Sequence, residues 1–196
     1  ITTAQLDLYD RCPRRFLYTH VLVVGGRRTP TNMTRMHDIV RQVVREIAAT
    51  QPSSTSYEDM ERLLQERWSE GPLAGEEYRL HRDLAVTLLR RFVGIRAGTS
   101  RSGTASLKAG IGANTITADA DDVLTSASGR HSVRMVRTGH SSSTTGKSLA
   151  DAAFQIAASA SLPGCTAEII HLGDDDPSTQ VAFGVKQLGT REEKLA

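Results

Sequence analysis

The residue period first changes at Gly98–Gly103, and that change restricts the fold more than any other feature. Before it, apolar residues recur at three- and four-residue steps, the spacing of one helix face. Met33, Met36, Val40, Val43, Val44 and Ile47 form one stripe, and Tyr57, Met60, Leu63, Leu64 and Trp68 form a second. Leu80, Leu84, Leu88, Phe92 and Ile95 form a third. Thr2 or Thr3 can cap a short first helix carrying Leu6, Leu8 and Tyr9. After Pro13 an apolar segment runs to Leu22, Gly25-Gly26 ends it, and Pro30 with Thr31 opens the next helix. Thr55 and Glu58 read as a capping box after a loop at 51–54, and Gly71-Pro72 breaks the helix they open.

Beyond Gly103 the pattern alternates, as expected of strands. Strands are expected near 105–112, 114–124, 131–138, 166–172 and 179–185. Gly112-Ala113-Asn114, Ser128-Gly129 and Asp174–Ser178 supply turns, and a helix is expected over 148–160 from Leu149, Ala152, Ala153, Ile156 and Ala157. The polar C-terminus reads as helical. Three meandering strands, a helix and two more strands predict an α/β fold with a mixed central sheet that the helix crosses. We expect 1–98 to form a helical lobe and 104–196 a sheet core, together one domain, and 196 residues suffice for that core.

Composition excludes several classes. No apolar run approaches membrane-spanning length and no signal peptide is visible. Cys12 and Cys165 are far apart and lack metal-type spacing, so zinc and iron–sulfur sites are not expected. Two such cysteines imply buried thiols in a reducing, cytoplasmic compartment. The chain begins at Ile1, straight into a helical pattern, which suggests an excised fragment or a processed terminus. Net charge is only +2, yet Arg11, Arg14, Arg15, Arg27, Arg28, Arg35, Arg41 and Arg45 crowd one segment against Asp38 alone. Arginine-rich codon usage explains that as readily as phosphate contact by forked donors.

Short motifs carry a resemblance. Ala4-Gln5-Leu6 to Tyr9, followed by Arg11-Cys12-Pro13-Arg14-Arg15-Phe16-Leu17-Tyr18, resembles the N-terminal signature of RecB-type nuclease domains of the PD-(D/E)XK superfamily. That resemblance implies a restriction-endonuclease-like fold, commonly attached to DNA helicases or their partner subunits. Met33-Thr34-Arg35-Met36-His37 stands where the family has Gly-x-x-x-His, so His37 is a candidate metal ligand, although bordering a buried helix face explains it equally. Ala118-Asp119-Ala120-Asp121 resembles Gly-x-x-Asp and makes Asp121 a second candidate; an acidic strand end is the plain alternative.

The third landmark is Met135-Val136-Arg137-Thr138-Gly139, where the family carries Asp-x-Lys-Thr-Gly. Strand residues two apart share a face, so that pattern sets a carboxylate on the metal beside an ammonium at the phosphate. Here the acid is Met135 and the lysine Arg137. A thioether does not replace an anionic oxygen on a hard cation, and arginine keeps the charge without a tunable proton. Ala150 and Phe154 stand where the family has Gln-x-x-x-Tyr.

The resemblance with these departures implies a nuclease-derived domain that does not cut and that serves DNA binding or assembly, with helicase domains and DNA as partners and no cofactor. Arg14, Arg15 and Arg137 are the candidate DNA contacts, and Asp121 and Arg137 are expected to pair. A second reading is a divergent Mg²⁺- or Mn²⁺-dependent exonuclease using Asp119, Asp121 or Glu168. A third is a protein-binding domain without DNA contact.

Overall fold

The structure, a computed structural model, describes residues 1–24, 29–50, 55–70, 76–96, 103–126, 129, 131–143 and 145–177. Six α-helices among them are α1 Thr3–Arg11, α2 Pro13–Phe16, α3 Asn32–Thr50, α4 Tyr57–Arg67, α5 Glu76–Ile95 and α6 Leu149–Ser161. The strands are β1 Ala105–Ile111, β2 Asn114–Ala120, β3 Asp122–Thr125, β4 His131–Arg137 and β5 Thr166–His171. The expected strand at 179–185 and the polar C-terminal helix lie outside the described residues, as do most of the joint at Gly98–Gly103, Gly25-Gly26 and Gly71-Pro72.

Helix starts follow side-chain chemistry. Thr2 accepts from the Gln5 N–H while the Gln5 side chain accepts from the Thr2 N–H, a complete capping box for α1. Pro13 sits in the first turn of α2, where its missing N–H costs nothing. The α4 cap is Ser56, one residue later than expected, because its hydroxyl accepts from the Asp59 N–H. A π-helical turn at Leu17–Val21 follows α2.

The hydrogen-bond ladders form two small sheets rather than one continuous sheet. β1 and β2 make an antiparallel hairpin with Ile111 opposite Asn114, and Gly112 turns it at φ 57, a conformation that suits glycine. β3 pairs antiparallel with β4, and β4 pairs parallel with β5, so this sheet is mixed. The segment expected as one strand over 114–124 is broken at Asp121. Its N–H still donates to the Arg134 carbonyl at 2.9 Å, but beyond that point β2 diverges from β4.

Two cores lie on opposite faces of the three-stranded sheet. Val136, Ile170 and Leu172 join the apolar stripes of α3, α4 and α5. Val133 and Ile169 face the other way, into the cluster formed by β1, β2 and α6. Alternation along β4 and β5 assigns each residue to one core or the other. α6 is buried along most of its length because β1, β2, β5 and α1 all pack against it. Its alanines allow that close approach. α1 therefore belongs to the α6 side of the sheet, and the Ile1 carbonyl accepts from the Thr117 N–H at 2.9 Å.

Among the described residues no helix is long and apolar enough to cross a membrane. Of the two cysteines expected to be buried, Cys12 is exposed at the α1–α2 junction and Cys165 is half-buried, its thiol pKa raised by burial.

Candidate functional site

The divergence of β2 from β4 opens a cleft of about 1020 Å³ between α1, α3, β4 and the N-terminus of α6. His37, Asp121, Met135, Arg137 and Ala150 all line it, although they come from three separate elements and the β2–β3 break. Phe154 does not. It is fully buried one helical turn deeper, among the apolar residues between α6 and the hairpin. Arg14 and Arg15 lie on exposed α2, outside the cleft lining, with Arg14 over the Tyr18 ring at 5.8 Å.

Asp121 does not pair with Arg137, contrary to expectation. Its Oδ1 accepts from Arg45 Nε at 2.7 Å and its Oδ2 accepts from the Val136 N–H at 2.9 Å. The strand divergence explains the second bond. The Arg134 carbonyl meets the Asp121 N–H at the last ladder position, so two residues on the Val136 N–H points at a gap, and the carboxylate fills it. Burial works against the charge on Arg45, but the bond to Asp121 and the negative charges of Asp121 and Asp119 together outweigh it and raise its pKa.

Arg137 pairs instead with Asp151, a fully buried carboxylate in the first turn of α6. Asp151 Oδ2 also accepts from the Gly146 N–H at 2.6 Å, and its own N–H donates to the Ser148 hydroxyl at 3.1 Å. Asp151 was missed in the sequence, although Ser148-x-x-Asp151 is a helix-start pattern that could have marked it. His171 was missed too. It stands opposite Arg137 in the β4–β5 register, and burial, then the Arg137 charge, lower its pKa. Burial and then Arg41 lower that of His37. The basic residues Arg41 and Arg45 were visible only as members of an arginine-rich segment.

Glu168 is on the other face of the sheet, so it cannot join Asp121 in a rearranged site. It accepts from Arg134 Nε at 2.7 Å, within a buried group that also holds Asp122 and Arg96. At the end of β5, Gly173 lies so close to Gly139 that a Cβ there would sit 2.6 Å from the Gly139 carbonyl carbon. That contact holds the segments after β4 and β5 together beside Thr138-Gly139 of the cleft lining.

The profile of the PD-(D/E)XK nuclease superfamily matches residues 1–162. The chain belongs to that superfamily. No curated protein matches it. The matched span includes the cleft walls from α1, α3, β2 and β4 together with all of α6.

Superfamily membership implies a divalent cation, and the donors in this cleft do not fit one. Hard cations take several anionic or neutral oxygens. Asp121 and Asp151 each engage an arginine and a backbone N–H, Met135 offers sulfur, and Arg137 brings a positive charge to the same wall. Among the described residues no three His, Cys, Asp or Glu side chains come together as metal ligands. In this cleft Asp121 and Asp151 are held by guanidinium groups.

Proposed function

We propose that the chain is a RecB-type member of the superfamily that binds DNA without cutting it, as part of a helicase or repair assembly in the cytoplasm. The observation that carries this reading is the double engagement of Asp121 by Arg45 and the Val136 N–H. A metal would have to displace a 2.7 Å ion-pair contact and leave a buried N–H without its acceptor, with Met135 supplying no compensating charge. Metal-bound charge stabilisation contributes several kcal/mol to phosphodiester cleavage, so its loss lowers turnover by orders of magnitude. Arg14, Arg15 and Arg137 are proposed DNA contacts.

The test is incubation of the full chain with labelled single-stranded and duplex DNA in Mg²⁺ or Mn²⁺. No cleavage above background is expected. Metal-dependent nicking that disappears in Asp121→Ala would refute the reading and favour the exonuclease.

A specific feature favours an assembly role beside DNA binding. Leu17, Tyr18, Val21, Leu22, Val23 and Val24 are exposed in one continuous stretch after α2. Apolar surface of that kind marks protein contacts. Retained binding to a helicase core without any DNA binding would favour the purely protein-binding reading.

A further inference from the structure

On α3, Thr34, His37, Arg41 and Arg45 recur at steps of three and four and all line the cleft. The rotation of this helix is set by its opposite stripe, because Met36, Val40, Val43, Val44 and Ile47 are wholly buried. The basic stripe therefore faces the cleft along its length, with Arg41 and Arg45 about 6 Å apart along the axis. Their side chains are 48% and 52% exposed. Each is steadied by a carboxylate through one nitrogen, Arg41 by Asp38 at 2.5 Å and Arg45 by Asp121 at 2.7 Å. A guanidinium carries five N–H donors, so each keeps donors for a ligand.

Acids on the facing side are mostly engaged. Asp7 is paired with Arg11 at 2.9 Å, and Asp10 accepts from the Leu149 N–H at the start of α6. Asp119 remains, and its field falls on Arg45. The α3 side of the cleft thus presents two half-exposed guanidinium groups, each shared with one carboxylate, and Arg137, paired with Asp151, lies in the same lining.

We infer that the α3 stripe is a metal-independent rail for the phosphodiester backbone of DNA, with Arg41 and Arg45 as its principal contacts. This rests on the DNA-binding reading and names the groups that perform it. Where carboxylates are neutralised by arginine rather than by a cation, the positive charge meeting phosphate must come from side chains. Contacts of this type position a strand without reading its sequence.

The experiment measures binding of the full chain to fluorescein-labelled oligo-dT, a mixed-sequence single strand and a duplex, by anisotropy in EDTA across a salt series. Thermal unfolding first checks that the variants fold. Arg41→Gln should weaken binding several-fold, alike for both single-stranded sequences, and reduce the salt slope by about 1. Arg41→Lys should restore most of it, since the charge is kept. The same Arg41 dependence on single strands or on the duplex supports the rail and identifies the form of DNA it takes. Binding that requires Mg²⁺ overturns it. Unchanged binding in folded Arg41→Gln and Arg45→Gln, with loss in Arg14→Gln/Arg15→Gln, also overturns the rail but leaves the DNA-binding reading standing. No DNA binding by the native chain, with or without Mg²⁺, removes that reading itself.

Discussion

Replacing Asp121 by alanine separates a structural carboxylate from a metal ligand by the sign of the stability change. In this fold Asp121 Oδ2 is the acceptor for the buried Val136 N–H at 2.9 Å. Leaving that donor without a partner costs about 1–3 kcal/mol. Loss of the Arg45 pair adds only about 0–1 kcal/mol, because Arg45 is half exposed and water takes over its solvation. Asp121→Ala should therefore destabilise by about 2 kcal/mol, a fall in Tm of roughly 4–8 °C for a chain this size. Asp121→Asn keeps an oxygen for Val136 but turns a donor toward Arg45, so about 1 kcal/mol is expected. Arg45→Ala should also destabilise, because it leaves the buried Asp121 carboxylate without its ion-pair partner. A carboxylate reserved for a cation behaves oppositely, since without metal it repels its fellow ligands and its removal tends to stabilise. Differential scanning fluorimetry with and without Mn²⁺ reads both effects. A cation at about a hundredfold its dissociation constant would add about 2.7 kcal/mol to the native chain. An Asp121→Ala variant as stable as the native chain, or a Mn²⁺-induced rise in Tm that the variant lacks, would refute the reasoning.

Three further outcomes are expected. Glu168→Ala should cost about 3 kcal/mol by urea denaturation, because it removes the closest partner of buried Arg134, whose other carboxylate, Asp122, is 3.7 Å away; a cost near zero would show that Asp122 alone suffices. Gly173→Ala should cost about 1–3 kcal/mol, since its Cβ would meet backbone atoms of Gly139 and His140 at 2.6–2.8 Å and the ends of β4 and β5 would have to separate; an unchanged denaturation midpoint would contradict that close approach. His37 and His171 titrate below the ordinary 6.5 because burial, and then Arg41 and Arg137 respectively, oppose their protonation. The unfolded chain then takes up protons first, so stability is full above 6.5 and falls as the pH drops below it. A pH series of Tm should show a smaller fall in His171→Gln than in the native chain.

Local pattern was enough to locate the elements and part of the cleft. Period-two alternation over 105–111 survives into the structure because a strand with one buried face must alternate, whereas 131–137 meets a core on each face. The three apolar stripes before Ile95 reappear as the buried faces of α3, α4 and α5 except at their N-terminal ends, where Met33, Tyr57 and Leu80 are exposed. Motif order likewise brought His37, Asp121, Met135 and Arg137 to one cleft. The α4 cap moved by one residue because Ser56 and Thr55 are both competent caps, and the chain's path chose between them.

Partner choice was decided only in three dimensions. Asp121 pairs with Arg45, 76 residues away, and Arg137 with Asp151, whereas neighbouring motifs suggested Asp121 with Arg137. Nothing in the one-dimensional pattern shows that β2 leaves β4 at Asp121 and turns the carboxylate toward the Val136 N–H. Glu168 carries the same charge as Asp121, but its register opposite Arg134 puts it behind the sheet. Apolar periodicity indicates which face of an element is buried, because an apolar stripe gains free energy by leaving water whatever it packs against. Ion pairing depends on where two elements meet, and that is set by the rotation of α3 on its core and the splay of two strands, both products of the assembled tertiary structure.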